Sequence, residues 1–335
     1  MEPKDKNLWD AYLTQRENSS IYQLYDWRTV FENTYGCQTF YLAAWEGDRI
    51  VGVLPLFLVR RFGLGSYVSS LPGGIQANDG KIAQALLETG ISLTREYRAH
   101  YFKLRDSSMS WPDERLKTQV EYTYIVELIG CSDEQLWETL RSEVRSRIRQ
   151  ALKHRLKVEV GTEYLRDFYD VYTTNMRDLG SPAVPWAFFE NCAARFSDKM
   201  KILVVRRDAG VIGGMMLFLH GHTVVNPFVS SLRSYFAYCP NDLLYWEALR
   251  YALRTGFQAL DLGRSEKDSG VARFKMKWSA KPEPLFYQYF LNGTRRIPNV
   301  RKDIRYRWVS PIWRRLPLPV ANRLGWWVRR YMPLA

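Results

Sequence analysis

The stretch Leu42–Leu58, LAAWEGDRIVGVLPLFL, returns in altered form at Leu203–Leu219 as LVVRRDAGVIGGMMLFL. Each copy has two apolar runs separated by a polar turn, the signature of a β-hairpin. A hairpin that recurs far down the chain, each time flanked by helical patterns, constrains the fold to two related α/β halves, an internal duplication. The length of 335 residues suits this, at about 100–200 residues per domain.

The rest of the pattern falls into place around these hairpins. In the first half a short helix starts at Asp26, strands run over Thr39–Trp45 and Arg49–Arg60, a helix over Gly80–Tyr97, and further strands over Tyr101–Arg105 and Tyr122–Leu128. The Ser132-Asp133 cap opens one long helix to about Leu156, acidic early and basic late as the helix dipole favours. The second half repeats the scheme. Helices cover Tyr164–Asp178 and Pro185–Phe196, the hairpin Lys201–Arg207 and Val211–Leu219, then a strand Thr223–Val229 and a helix Asp242–Thr255. Strands Ala259–Leu262 and Leu285–Leu291 close it. The expected domains are 1–130, 131–292 with the catalytic cleft, and a basic tail over 293–335.

Composition narrows the class. Hydrophobic residues at 46% and charged residues at 25% are ordinary for a globular protein, and an aromatic share of 15% argues against disorder. The four cysteines, Cys37, Cys131, Cys192 and Cys239, lack CxxC spacing, so neither a zinc site nor a disulfide framework is expected, and a reducing cytoplasm fits. No apolar stretch follows the charged N-terminus and no run of about 18 apolar residues occurs, so neither a secretory signal nor a membrane span is expected. The net charge of +13 is concentrated: Leu291–Ala335 holds eleven Lys and Arg against Asp303 alone, which is +10. That location argues against a DNA-binding body.

Three segments of the second half carry the chemistry. They are Tyr238-Cys-Pro-Asn-Asp-Leu-Leu-Tyr-Trp-Glu, then Gly256-Phe-Gln-Ala-Leu-Asp-Leu-Gly-Arg-Ser, then Gly270-Val-Ala-Arg-Phe-Lys-Met-Lys-Trp. A strand ending at Asp261-Leu262-Gly263 brings the chain to the carboxyl edge of a sheet, where ligand clefts gather. Gly263 permits a sharp turn of Arg264 and Ser265 into that cleft. Arg264 can hold a phosphate or carboxylate bidentately, or pair with Asp261 to pin the turn.

In this order and spacing the three segments resemble FemAB-like transferases and their BioF-like acetyltransferase relatives in the GNAT-like superfamily. The resemblance implies two tandem GNAT-like domains with mixed central sheets, followed here by the basic, Trp-rich tail. It implies an N-acyltransferase whose activated acyl or aminoacyl group is attacked by an amine. Lys275 matches the family's Phe-Lys pair, whose lysine stabilises charge at the transfer centre, and a fixed ammonium in a water-poor cleft can stabilise a tetrahedral oxyanion. Lys275, Arg264 and Asp261 are therefore the catalytic candidates, and Glu247 competes with Asp261 for the amine's proton. Arg177, Tyr172, Phe274, Asn241, Asp242 and Ser265 are the substrate-binding candidates. A solvated lysine between Arg273 and Lys277 and a core role for the aromatics are the plainer readings.

One departure bears on the donor. Superfamily members usually cradle a pyrophosphate on a glycine-rich loop at a helix N-terminus. Here Ser230–Asp242 contains no glycine, and Asp242 at the helix start repels an anion. The donor is left open between acyl-CoA and aminoacyl-tRNA, with no metal expected. The acceptor implied is an amine-bearing small molecule or lipid-linked precursor of the cell envelope. A non-catalytic polysaccharide-assembly protein that keeps the fold is the alternative. Arg141, Arg145 and Arg149, spaced by four, form a basic helix face that fits tRNA or plain solvent. Leu71-Pro-Gly-Gly-Ile is similar to a family loop near the acceptor and is also a common turn. The tail interleaves Trp with Arg from Arg305 onward, which suits an anionic membrane surface, RNA, or packing on the body. Its prolines divide it into two short helices.

Overall fold

Both copies of the repeated sequence are hairpins. The computed structural model describes residues 5–61, 65–107, 109–294, 296–297 and 310–330. Helices α1 (Lys6–Thr14) and α2 (Trp27–Tyr35) precede strands β1 (Gln38–Glu46) and β2 (Arg49–Arg61), which pair antiparallel. Strand β3 (Gly65–Ser70) adds antiparallel to β2 and is followed by the short β4 (Gln76–Ala77). Helix α3 (Gly80–Glu96) then carries the chain back to β5 (Tyr101–Asp106), which lies parallel to β3. The next strand is β6 (Leu116–Glu127).

The second half follows the same plan. Helices α4 (Asp133–Thr139) and α5 (Ser142–Lys153), strand β7 (Lys157–Val160), and helices α6 (Leu165–Asp178) and α7 (Trp186–Arg195) lead to the hairpin β8 (Met200–Arg207) and β9 (Gly210–His220). Strand β10 (Thr223–Ser231) is antiparallel to β9; helix α8 (Pro240–Arg254) crosses over to β11 (Ala259–Ser265), parallel to β10. Helix α9 (Gly270–Met276), strand β12 (Lys281–Leu291) and, in the tail, α10 (Leu318–Arg330) complete the chain.

The chain forms two compact units: Met1–Glu121 with Pro284–Tyr306 and Trp326–Ala335, and Tyr122–Glu283 with Arg307–Gly325. Strands of the first unit run in the order β1-β2-β3-β5-β12, and those of the second β6-β11-β10-β9-β8-β7. Strand β12, assigned by sequence to the second half, pairs antiparallel with β5 of the first unit, Phe286 opposite Asp106 and Leu291 opposite Tyr101.

The strands of each unit are held by its crossover helix. Asp79 caps α3 by accepting from the Ile82 amide at 2.9 Å, and Ala83, Leu86, Leu87 and Ile91 pack on Leu54, Leu56, Val68 and Phe102. In the second unit Leu243, Leu244, Ala248, Leu249 and Ala252 of α8 meet Val205, Met215, Leu217 and Leu260 of the sheet. Full burial of each such large apolar side chain contributes about 1.5–3 kcal/mol. The single long helix expected from Ser132 to Leu156 is in fact two. Leu140 adopts extended backbone angles (φ −71°, ψ 141°) and buries its side chain, which separates α4 from α5.

Candidate functional site

Strands β10 and β11 are joined for only three residues, Thr223–Val225 opposite Ala259–Asp261. Beyond that point β10 shifts register against β9 between Val225 and Phe228, and β11 shifts against β6 between Asp261 and Arg264. The two strands splay, and the groups that bridge or line the gap define the site. Buried Asn226 of β10 donates from its amide to the carbonyls of Met216 and Phe228, each at 3.0 Å. Gly263 of β11 sits at φ +79°, and a Cβ there would come within 3.1 Å of the Asn226 carbonyl, so only glycine fits without strain. The sequence pattern predicts a strand that stops at Leu262; in the structure it continues through this bulge to Ser265.

Lys275 reaches the bulge from α9, whose N-terminus is capped by Ser269 accepting from the Ala272 amide at 3.1 Å. Its ammonium donates to the carbonyl of Gly263 at 2.7 Å and to that of Arg264 at 3.3 Å, and lies 5.7 Å from the centre of the Tyr124 ring. The residue is only 4% exposed. Burial pulls its amine down to about 8; Asp261 opposes that shift and the Arg264 guanidinium adds to it. Asp261 accepts from the Thr123 hydroxyl and, at 2.8 Å, from the Gly263 amide. Burial pushes its carboxyl up, against the two hydrogen bonds and the Lys275 charge. Lys275, Asp261 and the backbone of Arg264 thus come together around one strand bulge. Ser265, buried beside it, donates to the Arg264 carbonyl at 2.9 Å.

The remaining candidates lie elsewhere. At the start of α8, Asn241 accepts from the Ser231 hydroxyl of β10 at 2.8 Å. Asp242, buried, accepts from Arg147 Nε of α5 at 2.9 Å, and burial pushes its carboxyl up against that ion pair. Phe274, partly buried, packs on Tyr245 and Trp278, and buried Tyr172 sits among Phe168, Phe189 and Phe228 with its hydroxyl accepting from the Val184 amide at 3.1 Å. Arg177 is bound to its neighbour Asp178 at 2.7 Å on the last turn of α6. On the basic helix face, Arg149 lies over the Trp137 ring at 5.3 Å. Thr123, Tyr124 and Asn226 were not among the sequence candidates. Nothing in their local pattern marks them; they join the site because β6 and β10 flank β11. Among the described residues no group of three His, Cys, Asp or Glu is placed to hold a metal ion.

Residues 139–276 match the model of the acetyltransferase (GNAT) domain. No curated protein matches the chain in sequence. Among solved structures, FemX aligns with TM-score 0.67 at 16% identity, over 86% of this chain and 96% of its own. The C-terminal domain of a putative lysylphosphatidylglycerol synthetase from Agrobacterium fabrum gives 0.60 at 10% identity, over 88% of this chain and 99% of its own. A tandem GNAT protein from the clavulanic acid biosynthesis pathway gives 0.53 at 13% identity, over 87% and 94%. Residues 139–276 are therefore similar to the GNAT acetyltransferase domain, and the chain has the fold of FemX and of the tandem GNAT protein.

Proposed function

We propose that the chain transfers an acyl or aminoacyl group to an amine of a cell-envelope or polysaccharide precursor, with the splay of β10 and β11 as the transfer centre. The observation that carries this reading is the buried Lys275 ammonium, held by the Gly263 and Arg264 carbonyls at the point where the parallel strands separate, inside the segment that matches the acetyltransferase model. Strands that diverge leave backbone groups for which a ligand's amides can substitute. In the transfer the amine nitrogen attacks the acyl carbonyl, the carbonyl electron pair moves to oxygen, and the tetrahedral oxyanion collapses by expelling the donor's thiolate or ribose oxygen. The Lys275 charge stabilises that oxyanion in a site where water screens little. The amine's proton leaves to a carboxylate, and Asp261 is the one within this cluster. Its raised carboxyl suits a base better than an ordinary aspartate.

The FemX and lysylphosphatidylglycerol synthetase folds support an envelope acceptor. The donor is read at the α8 N-terminus. There the buried Asp242 carboxylate, paired with Arg147, stands in the first helical turn, and an acidic group at a helix start disfavours an incoming pyrophosphate. This favours aminoacyl-tRNA over acyl-CoA. Equilibrium binding of acetyl-coenzyme A, competed with coenzyme A, checks the donor: saturable micromolar binding overturns the preference for tRNA. Transfer of label from aminoacyl-tRNA or acetyl-coenzyme A to an amine acceptor then tests the reaction. Acceptor binding with no transfer from either donor would make the chain a binding protein that keeps only the fold.

A further inference from the structure

The tail contains two kinds of aromatic residue that the sequence alone does not separate. Residues 310–313 form a helical turn whose Trp313 is buried, and Ala321 of α10 is buried with it. This side of the tail lies on the turn after α6. A Cβ at Gly180 would meet Ser310 and the Arg314 side chain, and one at Gly325 would come within 3.3 Å of the Ala183 backbone and 3.7 Å of the Trp313 ring. Glycines at both positions let the tail helix seat closely on the body.

The opposite side is exposed. Val320, Arg323, Leu324 and Trp327 recur at i, i+3, i+4 and i+7, so they form one stripe along α10. Val320 and Leu324 are each 44% exposed, Trp327 is 54% exposed, and Ile312 on the preceding turn is 65% exposed. From Ile304 to Ala335 the sequence holds no acidic residue, and the stripe itself carries Arg323. We propose that this face is a docking surface for an anionic lipid bilayer, on which α10 lies flat. The charge calls for an anionic partner. Tryptophan at the headgroup level with arginines reaching outward is what an interfacial helix presents. The aliphatic members decide against RNA, because Val320, Leu324 and Ile312 offer neither a stacking plane nor a phosphate contact. At 13 residues α10 is about 20 Å long, too short for a hydrocarbon core of about 30 Å, and among the described residues no helix is long and apolar enough to cross a membrane. This surface does not depend on the transfer reading above, and the two fail independently.

Flotation of the full chain with vesicles tests it, comparing phosphatidylcholine alone with the same lipid containing about 30% phosphatidylglycerol. The wild type is expected to float with the anionic vesicles only, and the double variant Leu324→Ser with Trp327→Ser to lose at least about tenfold in partitioning at unchanged melting temperature. If the double variant melts early, Val320→Ser reads the same stripe one turn away and should weaken partitioning in the same direction. Absence of wild-type flotation, or stripe variants that float like the wild type, overturns the proposal. So does a result in which these variants abolish binding of total tRNA and leave flotation intact, which would assign the face to RNA.

Discussion

The parallel pairs β3/β5 and β10/β11 occupy corresponding places in the two units, each reached from an antiparallel hairpin and separated by a crossover helix. Each pairs over only three residues: Tyr67–Ser69 opposite Tyr101–Lys103, and Thr223–Val225 opposite Ala259–Asp261. Past the paired residues the two units diverge. In the first unit the Ser70 hydroxyl accepts from the Arg105 amide at 2.9 Å and bridges the two strands. The buried Asp106 carboxylate there accepts from Trp111 Nε1 at 3.0 Å, and the loop at Gly74 leaves it no room, since a Cβ would come within 2.5 Å. In the second unit a buried amine and a desolvated carboxylate stand at the gap instead. The same strand geometry is bridged by a hydroxyl and a carboxylate in one unit and carries a buried amine beside a carboxylate in the other, so the two units share a fold and differ where the parallel strands part.

The sharpest test of that contrast is Lys275→Ala against Ser70→Ala. Transfer is expected to fall about 10²–10³-fold in the first, the scale of losing one charge-stabilising donor, and to stay within about twofold in the second. Steady-state kinetics at saturating donor would read this. Equal losses in both variants would break the comparison, because structure and chemistry would then not be divided between the two gaps.

A second test rests on the titration of Lys275. Its amine is held at about 8 in the folded protein, below the ordinary value of 10.5. A depressed value contributes stability that is fully present above 10.5 and is lost as pH falls through about 8. The stability of the wild type relative to Lys275→Met should therefore grow between those two values, by at most about 3 kcal/mol. Activity should move the opposite way. If the charged form stabilises the oxyanion, kcat/KM falls as pH rises through about 8, and Lys275→Arg removes that limb while keeping the charge. A flat wild-type profile would sever Lys275 from the reaction.

These contrasts also show which parts of the molecule the sequence exposes. The hairpins, α3 and α8 are legible because hydrophobic periodicity and turn residues act locally. The break at Leu140 is not, because a helical pattern runs straight through it and only burial of that side chain turns the backbone. Strand β3 is hidden in Gly-Ser-Tyr-Val-Ser-Ser, whose two apolar residues give too short a run to read. At the candidate site, Lys275 and Asp261 are named through the resemblance to FemAB-like transferases. Thr123 is not, since its contact with Asp261 depends on the register of β6 against β11 across the bulge. Tyr172 and Phe274 illustrate the reverse case: the same aromatic pattern serves a cleft or a core, and only the structure shows their packing against Phe189 and Trp278.

The helix starts give a third comparison. Helix α3 is capped by Asp79 at its N-cap position, whereas α8 begins after Cys239 at φ +57° without a side-chain cap and carries Asp242 inside its first turn. Asp242 is buried, so Arg147→Ala strands a carboxylate and should cost about 2–3 kcal/mol, somewhat less than the loss of a fully buried pair because Arg147 is half-exposed. Adding Asp242→Asn should return most of that stability in urea unfolding. No recovery in the double variant would show that the cost came from Arg147's other contacts.

The smallest expected effect lies at Ser70 itself. Removing its hydroxyl leaves the Arg105 amide without the acceptor it has at 2.9 Å, and a buried donor left unmade costs about 1–3 kcal/mol. Chemical denaturation of Ser70→Ala should show a loss in that range with an unchanged dependence on denaturant. Ser70→Cys, whose sulfur is a weaker acceptor of similar shape, should fall between the two. If Ser70→Ala is neutral, the bridge is not what holds the end of β3 to β5, and the packing of the Pro72-Gly73-Gly74 loop onto Asp106 must do so. The first unit would then be closed by shape and the second kept open by charge, a stronger form of the same difference.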